Sequence, residues 1–523
     1  MALVAVRAGE PEFVAEDKWL ERHAQELLNG ADTVDEAREG TGRVPPMAFV
    51  RCSRGGKTRV LRELSRKLRQ LRPELGVIYV TFNNYSPLHH WEHSDAVDAL
   101  CRRIAFAALR QKQDTDLSFD AFRATNVTVA DIESFLGDTP CVLLIDELNV
   151  LNAGGEQAIA LAGFLKHHFL FGRGRYFAFS SHVAPTGKGM ADFFDAVSER
   201  DVFIRELPLI PAGDLVAARS KLQFPSLTVR QAVFRGRIPA LVSYTRGEVP
   251  PEFLKRAAAI AEVTPKWNDS RVRTFLASFL VGDPNPVFVF TELLQLMNVV
   301  RREKLTRLTW IPYHMVHVLD SIANTLVVSV ELRAAVSLVS DCLKGFETDK
   351  TSGGDTWEAL FVAVLLIRAV SGHFHAHLLP LDAVVFANCR VFYNDLWKQQ
   401  DCAPAFPDIQ TVDQLLAGIQ APPSFPAIAL YYPPHARFQT YDCFFVAWSS
   451  AEERKVFGYQ LKEGKQIPNK APNHCEQSFW IRGDLSSSVE KRKGWVVADD
   501  AQVDDFLGIS GAALAPKEWR RLK

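Results

Sequence analysis

Between residues 47 and 209 the sequence alternates short, almost wholly apolar runs with longer segments whose apolar residues recur at helical spacing. The runs are "MAFVRC", "GVIYVTFN", "PCVLLIDE", "RYFAFSSH" and "DVFIRELPL". Between them lie "KTRVLRELSRKLRQLR", "DAVDALCRRIAFAALRQ" and "GEQAIALAGFLKHHFL". A strand that is apolar along its whole length has no face to give to water, so both faces must be covered. Such strands, separated by helices, are expected to form a parallel sheet between two helical layers. The fold class this implies is α/β, a parallel-sheet nucleotide-type core.

The rest of the chain reads differently. At 523 residues it exceeds the size at which one core usually stops growing, about 250–300 residues. The pattern divides it into a leader (1–45, with a helix over about 12–29), the α/β core (46–211) and a mostly helical region (212–346). A polar linker, "ETDKTSGGDT" (347–356), and a C-terminal α/β domain (357–523) follow. In that last domain one apolar helix, "WEALFVAVLLIRAV", leads through Pro-rich loops to two strand-like runs, "RFQTYDCFFVAWSS" and "RKVFGYQLKEG". Lys+Arg 60 against Asp+Glu 61 leaves a net charge of -1, which excludes a wholly basic nucleic-acid coat but leaves room for a local basic groove. The eight scattered cysteines predict reduced thiols in an intracellular compartment. The longest apolar run, "ALFVAVLLI" (359–367), is about half a bilayer span. With no signal-peptide pattern at the start, a soluble protein without a membrane partner is expected.

Two clusters of residues carry chemistry. The first is "RCSRGGKTR". A phosphate loop normally reads Gly, four residues, Gly-Lys-Ser/Thr, and its backbone N–H groups surround the phosphates at a helix N-terminus. Here Arg51 stands in the place of the first glycine, where it is expected to alter the turn without removing the site. Arg54, Gly55, Gly56, Lys57 and Thr58 form the phosphate-facing half, with Lys57 for charge and Thr58 for Mg²⁺. "CVLLIDEL" brings Asp146 and Glu147 to the C-terminal end of a strand, where open α/β sheets bind ligands. Asp146 is placed to hold Mg²⁺ and Glu147 to orient the attacking water. The next strand ends in Ser180 and Ser181, positioned to sense a terminal phosphate. Taken alone, a "GGKT" is a common chance match and an "IDE" can be a helix start. The order of the two, each at the end of a buried strand, favours a nucleotide site.

The second cluster is "FGYQLKEGK". Positions i and i+2 of a strand share a face, so Gln460 and Lys462 project together. A hairpin with "TYDCFFV" sets Asp442 beside them. An acid followed by a strand with Asp/Glu-x-Lys is the pattern of restriction-endonuclease-like cores, in which carboxylates hold Mg²⁺ and the lysine orients the attacking water. Gln460 replaces the usual acid, offering a carbonyl oxygen without charge. Glu358, in the helix that opens the domain, adds a further carboxylate. The plainer reading makes Asp442 a strand-edge polar residue and "KEGK" a solvated hairpin.

Together "RCSRGGKTR", "LLIDELN", "SSH" and "FRGRIPALVSYTRG" (Gly236, Pro239) resemble the P-loop NTPase of the Crinkler and retrotransposon-hot-spot (RHS) group, in the STAND-like branch of AAA+-related ATPases. In that group the NTPase is often fused to a PD-(D/E)XK nuclease, and "WEALFVAVLLIR", "YQLKEGK" and "GWVVADDAQVDDFLGISGAALAPKEW" fit it as a set. The resemblance covers about 46 to 520. It implies nucleotide roles for Gly56, Lys57, Thr58, Asp146, Glu147 and Ser181, and nuclease roles for Asp442, Gln460, Lys462 and Glu358. It also implies ATP or another NTP with Mg²⁺ as cofactors, nucleic acid (DNA first) as partner, self-association through the NTPase, and work in a nucleus. The "LxLFLAK" motif of secreted Crinkler effectors is not seen. The function expected is an NTP-regulated, Mg²⁺-dependent nuclease. Its rivals are an ATP-controlled scaffold whose nuclease fold no longer cuts, and a stand-alone ATPase with a structural tail.

Other polar groups read more plainly. His373, His375 and His377 share a face if extended and could then bind a metal, but are expected to continue a helix and form a solvated or satisfied cluster. "HHWEH" (89–93) reads as a surface turn. Arg173 or Arg175 would serve as an arginine finger only in an oligomer, and a solvated loop is the simpler place for both. "VEKRKGW" (489–495) reads equally as a phosphate contact or a basic turn.

Overall fold

The five apolar runs of the N-terminal region form one sheet. β1 (Met47–Val50), β2 (Gly76–Thr81), β3 (Cys141–Asp146), β4 (Arg175–Ser181) and β5 (Phe203–Arg205) lie in the order β2-β3-β4-β1-β5, every pair parallel. The computed structural model describes residues 11–37, 45–52, 54–83, 86–92, 95–113, 119–120, 125–151, 155–170, 174–182, 202–246, 258–282, 293, 296–302, 305–324, 328–349, 352–386, 389–395, 414, 416–417, 419, 421–432, 441–463, 475–483 and 494–523.

Alternation of side chains along each strand serves both faces of this sheet. Met47, Phe49, Val142 and Leu144 pack with Leu61, Leu64 and Leu68 under α1 (Trp19–Ala37) and α2 (Lys57–Leu71). Ala48, Val50, Leu143 and Ile145 pack the other way, with Leu100, Ile104, Ile132 and Leu161 of α3 (Ala96–Gln113), α4 (Val129–Leu136) and α5 (Gly155–Leu165). This is the covered parallel sheet of a P-loop NTPase-like fold. The leader helix begins at Trp19 rather than near residue 12. Ahead of it Phe13 and Val14 already pack against the core outside any regular element, with Glu12 N donating to Lys221 O at 3.0 Å.

The middle of the chain is helical, as its spacing predicts: α6 (Leu215–Lys221), α7 (Val229–Phe234), α8 (Pro239–Tyr244), α9 (Asp269–Val281), α10 (Pro312–Ala323) and α11 (Val330–Thr348). Between α9 and α10 an antiparallel hairpin, β6 (Met297–Arg302) with β7 (Leu305–Trp310), departs from the helical reading. The polar stretch after α11 is tied down. α12 (Gly353–Ser371) starts within it, capped by Ser352. Arg230 of α7 donates to Thr356 Oγ1 at 2.5 Å and Ser352 O at 3.3 Å and pairs with the Asp349 carboxylate.

The C-terminal region is a second, mixed sheet. After α13 (Ala383–Phe386) come β8 (Arg390–Asp395), β9 (Ala427–Tyr432), β10 (Cys443–Trp448), β11 (Arg454–Lys462), β12 (Gln477–Arg482) and β13 (Val496–Val497), in the order β13-β12-β11-β10-β9-β8. β9, β10 and β11 form an antiparallel meander, and β12 runs parallel to β11. α12 underlies the sheet, with Phe361 5.6 Å from Tyr459 and 4.7 Å from Phe506 of α14 (Asp500–Ala512). α15 (Pro516–Leu522) follows. The apolar run of α12 is therefore core, and among the described residues no helix is long and apolar enough to cross a membrane.

Candidate functional site

Arg51 explains how the loop dispenses with its first glycine. Its side chain turns under the loop and is 4% exposed. The guanidinium donates to Leu207 O at 2.5 Å, Pro208 O at 3.1 Å and Gly55 O at 3.4 Å. Burial lowers its pKa to about 10, so it stays charged. A Cβ on Gly55 would lie 2.5 Å from Arg51 Cγ and 2.6 Å from its Cδ. The same Cβ would lie 2.8 Å from the Cys52 carbonyl oxygen, so Gly55 is required by the loop backbone as well as by Arg51. Gly56, at φ 89°, supplies the left-handed turn into α2, while Arg54, also left-handed at φ 60°, lays its guanidinium 4.4 Å over the Tyr244 ring of α8. A side chain on Gly56 would reach to 3.2 Å from Ala240, so α8 borders the loop directly.

The strand ends complete the site. Asp146 is fully buried. Its Oδ1 accepts from Ser180 Oγ at 2.6 Å, and its Oδ2 from Thr58 Oγ1 at 2.8 Å, Thr81 Oγ1 at 3.1 Å and Asn83 Nδ2 at 3.1 Å. Burial pushes its pKa up, against the hydrogen bonds from Ser180 and Thr58. Lys57 Nζ donates to Arg51 O and Cys52 O, both at 3.1 Å, and lies 3.2 Å from Glu147 Oε1. Glu147 has a left-handed backbone (φ 63°) and donates its N–H to Ser180 Oγ at 3.0 Å. Its carboxylate also meets His182 Nδ1 at 3.3 Å, and Asn149 Nδ2 lies 3.0 Å from the same nitrogen. Burial alone would raise the Glu147 pKa; the Lys57 ammonium and His182 outweigh it and hold it down to about 2.

The structure therefore brings Lys57, Thr58, Asp146 and Glu147 together, with Gly55, Gly56 and Arg54 around them. Ser181 is buried beside them in register with Val50, while Ser180 is the serine that reaches Asp146. Thr81 and Asn83 are additions that the sequence motifs did not contain, while Asn149 and His182 close "LLIDELN" and "SSH" and take a role only here.

In the second sheet, β10 and β11 pair so that Cys443 faces Tyr459, and Asp442 N donates to Tyr459 O at 2.8 Å. Leu461 N donates to Asp442 Oδ2 at 2.5 Å, and Lys462 Nζ is 3.8 Å from the same oxygen. Glu358 of α12 joins this cluster. Burial first, then the Asp442 charge, pushes its pKa up to about 8, with Lys462 pulling the other way. Burial also raises Asp442, opposed by Lys462 and the Leu461 N–H. Gln460 is 8% exposed, and its Oε1 has no hydrogen-bond partner among the described residues. Glu463 is a further acid nearby: a Cβ on Gly353, in the first turn of α12, would lie 2.5 Å from its Oε2.

The remaining polar groups have structural work. α12 stops at Gly372, left-handed at φ 71°, so His373–His377 do not continue it. His375 Nδ1 accepts from Leu378 N at 3.0 Å and its Nε2 lies 3.1 Å from Asp505 Oδ2. Residues 90–92 form a 3₁₀ turn whose Glu92 pairs with buried Arg103 at 2.6 Å. Arg175 is buried rather than solvated, and donates to Leu136 O, Gly137 O, Thr139 O and Cys141 Sγ. Arg173, His93 and residues 489–493 lie outside the described residues.

No protein-family profile matches the sequence, and no curated protein does. Among solved structures, a Walker-type ATPase of Pyrococcus abyssi is similar at 14% identity and TM-score 0.34, covering 60% of this chain and 99% of that one. The Aeropyrum pernix ORC2 protein in its ADP form aligns at 11% identity and TM-score 0.32, over 65% and 96% of the two chains. The Aeropyrum pernix ORC1 protein in complex with DNA aligns at 12% and 0.26, over 60% and 93%. The fold assignment rests on strand order and loop geometry, not on these distant likenesses.

Two outcomes follow from the geometry. Arg51→Met keeps bulk but strands the Leu207 and Pro208 carbonyls, so it is expected to cost about 1–3 kcal/mol; chemical denaturation measures this, with Arg51→Lys recovering part of the loss. Glu358 titrates near 4.5 when unfolded and near 8 when folded. Its contribution to stability is therefore complete below about pH 4.5 and is lost as pH rises to about 8. In chelator-containing buffer, the melting temperature of the wild type should fall relative to Glu358→Gln across that window. Parallel curves would show that Glu358 is not held protonated.

Proposed function

We propose that the chain is an NTP-regulated, Mg²⁺-dependent nuclease, with a nucleotide at the phosphate loop governing phosphodiester cleavage at the C-terminal sheet. The observation that carries the nuclease half is the joining of Glu358, Asp442 and Lys462 in one half-buried charged cluster, with the unpaired Gln460 carbonyl two residues before Lys462 on the same strand. An acid at the start of one strand, a lysine on its antiparallel neighbour and a helix acid beneath are the parts such chemistry needs.

The donors fit the ions. Thr58 and Asp146 at the loop, and Asp442, Gln460 and Glu358 at the second sheet, offer the hard oxygen ligands that Mg²⁺ takes. Bound there, Mg²⁺ would polarise phosphate oxygens and acidify a coordinated water. At the loop, the backbone N–H groups around Gly56 and the start of α2 would receive the phosphates. Lys57 would exchange the Arg51 and Cys52 carbonyls for them, which frees Glu147 to orient water while His182 keeps hold of its carboxylate. At the second sheet, Lys462 would orient the attacking water and offset negative charge at the scissile phosphate. The Leu461 N–H would keep Asp442 turned toward it. The contacts of α8 with the loop, and of Arg230 in α7 with the first turn of α12 two residues from Glu358, provide a route between the sites.

On the Crinkler/RHS-type resemblance, the substrate would be DNA, the place of work a nucleus, and self-association would run through the NTPase. Gln460 favours one alternative, an ATP-controlled nucleic-acid- or protein-binding scaffold with an inactive nuclease fold, because it removes a charge from the metal ligands.

Purified protein with Mg²⁺, ATP and plasmid or linear DNA separates these readings. The wild type is expected to cut, and Lys462→Ala to lose roughly 10²-fold or more of that rate. Lys57→Ala should abolish nucleotide binding, whereas Glu147→Gln should bind and hydrolyse roughly 10²-fold more slowly. Cleavage that survives Lys462→Ala sinks the nuclease, and hydrolysis that survives Lys57→Ala sinks the NTPase. DNA binding without cutting by the wild type selects the scaffold.

A further inference from the structure

Away from both clusters, α5 does not end as an α-helix. It passes into a five-residue π-helical turn, Lys166–Leu170. Such turns are rare, and frequently occur at functional sites. This one is anchored by buried Phe169 and Leu170 and presents two consecutive histidines, with ring centres 4.7 Å apart and nearly perpendicular. The His168 ring also lies 4.7 Å from that of Phe164, which fixes its orientation. Facing them is Glu133 on α4, with its Oε1 3.6 Å from His168 Nε2.

We infer that Glu133, His167 and His168 form a binding site for a divalent transition-metal ion of the Zn²⁺ type. Their candidate ligand atoms all lie within 4.8 Å of one another. A tetrahedral ion with bonds of about 2.0–2.2 Å sets its ligands about 3.4 Å apart, so the Glu133–His168 pair is already close to that spacing. His167, being exposed, is free to close the remainder by rotation. Two imidazoles and one carboxylate suit Zn²⁺, Co²⁺ or Ni²⁺, and not Mg²⁺ or Ca²⁺, which take oxygen sets.

The frame is braced on both sides. α4 starts at a Thr128–Asp131 capping box, and its last carbonyls, Leu136 O and Gly137 O, accept from buried Arg175 at 3.1 and 2.6 Å. The site lies at the beginnings of β3 and β4, since α4 leads into Cys141 and the π turn precedes Arg175. That is the end of the strands opposite Lys57 and Asp146, so the ion is distinct from any held with a nucleotide. It would clip α4 to α5, leaving its other coordination positions to water or to a ligand from a partner.

The test uses the full-length protein, stripped with a chelator and dialysed. Zn²⁺ titration by calorimetry, and Co²⁺ titration followed by its visible absorption, should each give a saturable site. Glu133→Gln and the double variant His167→Ala/His168→Ala should weaken it at least about tenfold, whereas His375→Ala leaves it unchanged. Zn²⁺ should raise the melting temperature of the wild type but not of the double variant. Circular dichroism of the metal-free variants, matching the wild type, separates lost ligation from lost folding. Absence of a saturable site, or an isotherm unchanged in the double variant, would overturn the inference.

Discussion

The N-terminal site depends on a buried carboxylate being fully satisfied. Asp146 has no exposure, and an isolated carboxylate in such a place would cost several kcal/mol or be neutralised. Four donors prevent that: Thr58 from α2, Thr81 from β2, Asn83 just beyond it, and Ser180 from β4. The same four bonds fix the distance from the loop to three strand ends. Ser180 then accepts the Glu147 N–H, which aims the Glu147 side chain at Lys57 and His182. The arrangement is therefore ordered before any ligand arrives, and a nucleotide would enter by exchanging partners rather than by assembling the site.

The two halves of the molecule share one apolar core, and arginines pin its polar margin. Arg230 and Arg235 hold the end of α11 and the start of α12, and Arg237 of the same segment lies 3.6 Å from Glu518 of α15. An α12 displaced by movement of α7 would carry Glu358 with it. Because Glu358 and Asp442 share one cluster, even a small shift alters the charge balance there.

Lys57, Thr58, Asp146 and Glu147 were legible because local chemistry marks them: a glycine turn before a helix, and acids ending an apolar strand. Asp442 and Lys462 were legible by period-two alternation across a hairpin. Thr81 and Asn83 were not, since nothing in "YVTFN" says that β2 will lie next to β3 in the sheet. Asn149 and His182 meet only after β3 and β4 pair. The hairpin β6–β7 was hidden by helical neighbours, although "LTRLTW" carries the β-branched content of a strand. The end of α12 escapes the sequence pattern because Gly372 stops it in a left-handed turn, a stop that the apolar spacing before it does not reveal.

The packing of Arg51 against Gly55 has an evolutionary consequence. The Arg51 stem and the Cys52 carbonyl both occupy the space that a Cβ at position 55 would need, so glycine there is held by the backbone as well as by its neighbour. A descendant that gained glycine at 51 would leave the Leu207 and Pro208 carbonyls without their donor until a compensating change arose elsewhere, whereas one that gained alanine at 55 first would clash. A substitution at 51 should therefore be found with changes near 207 and 208, while glycine stays at 55.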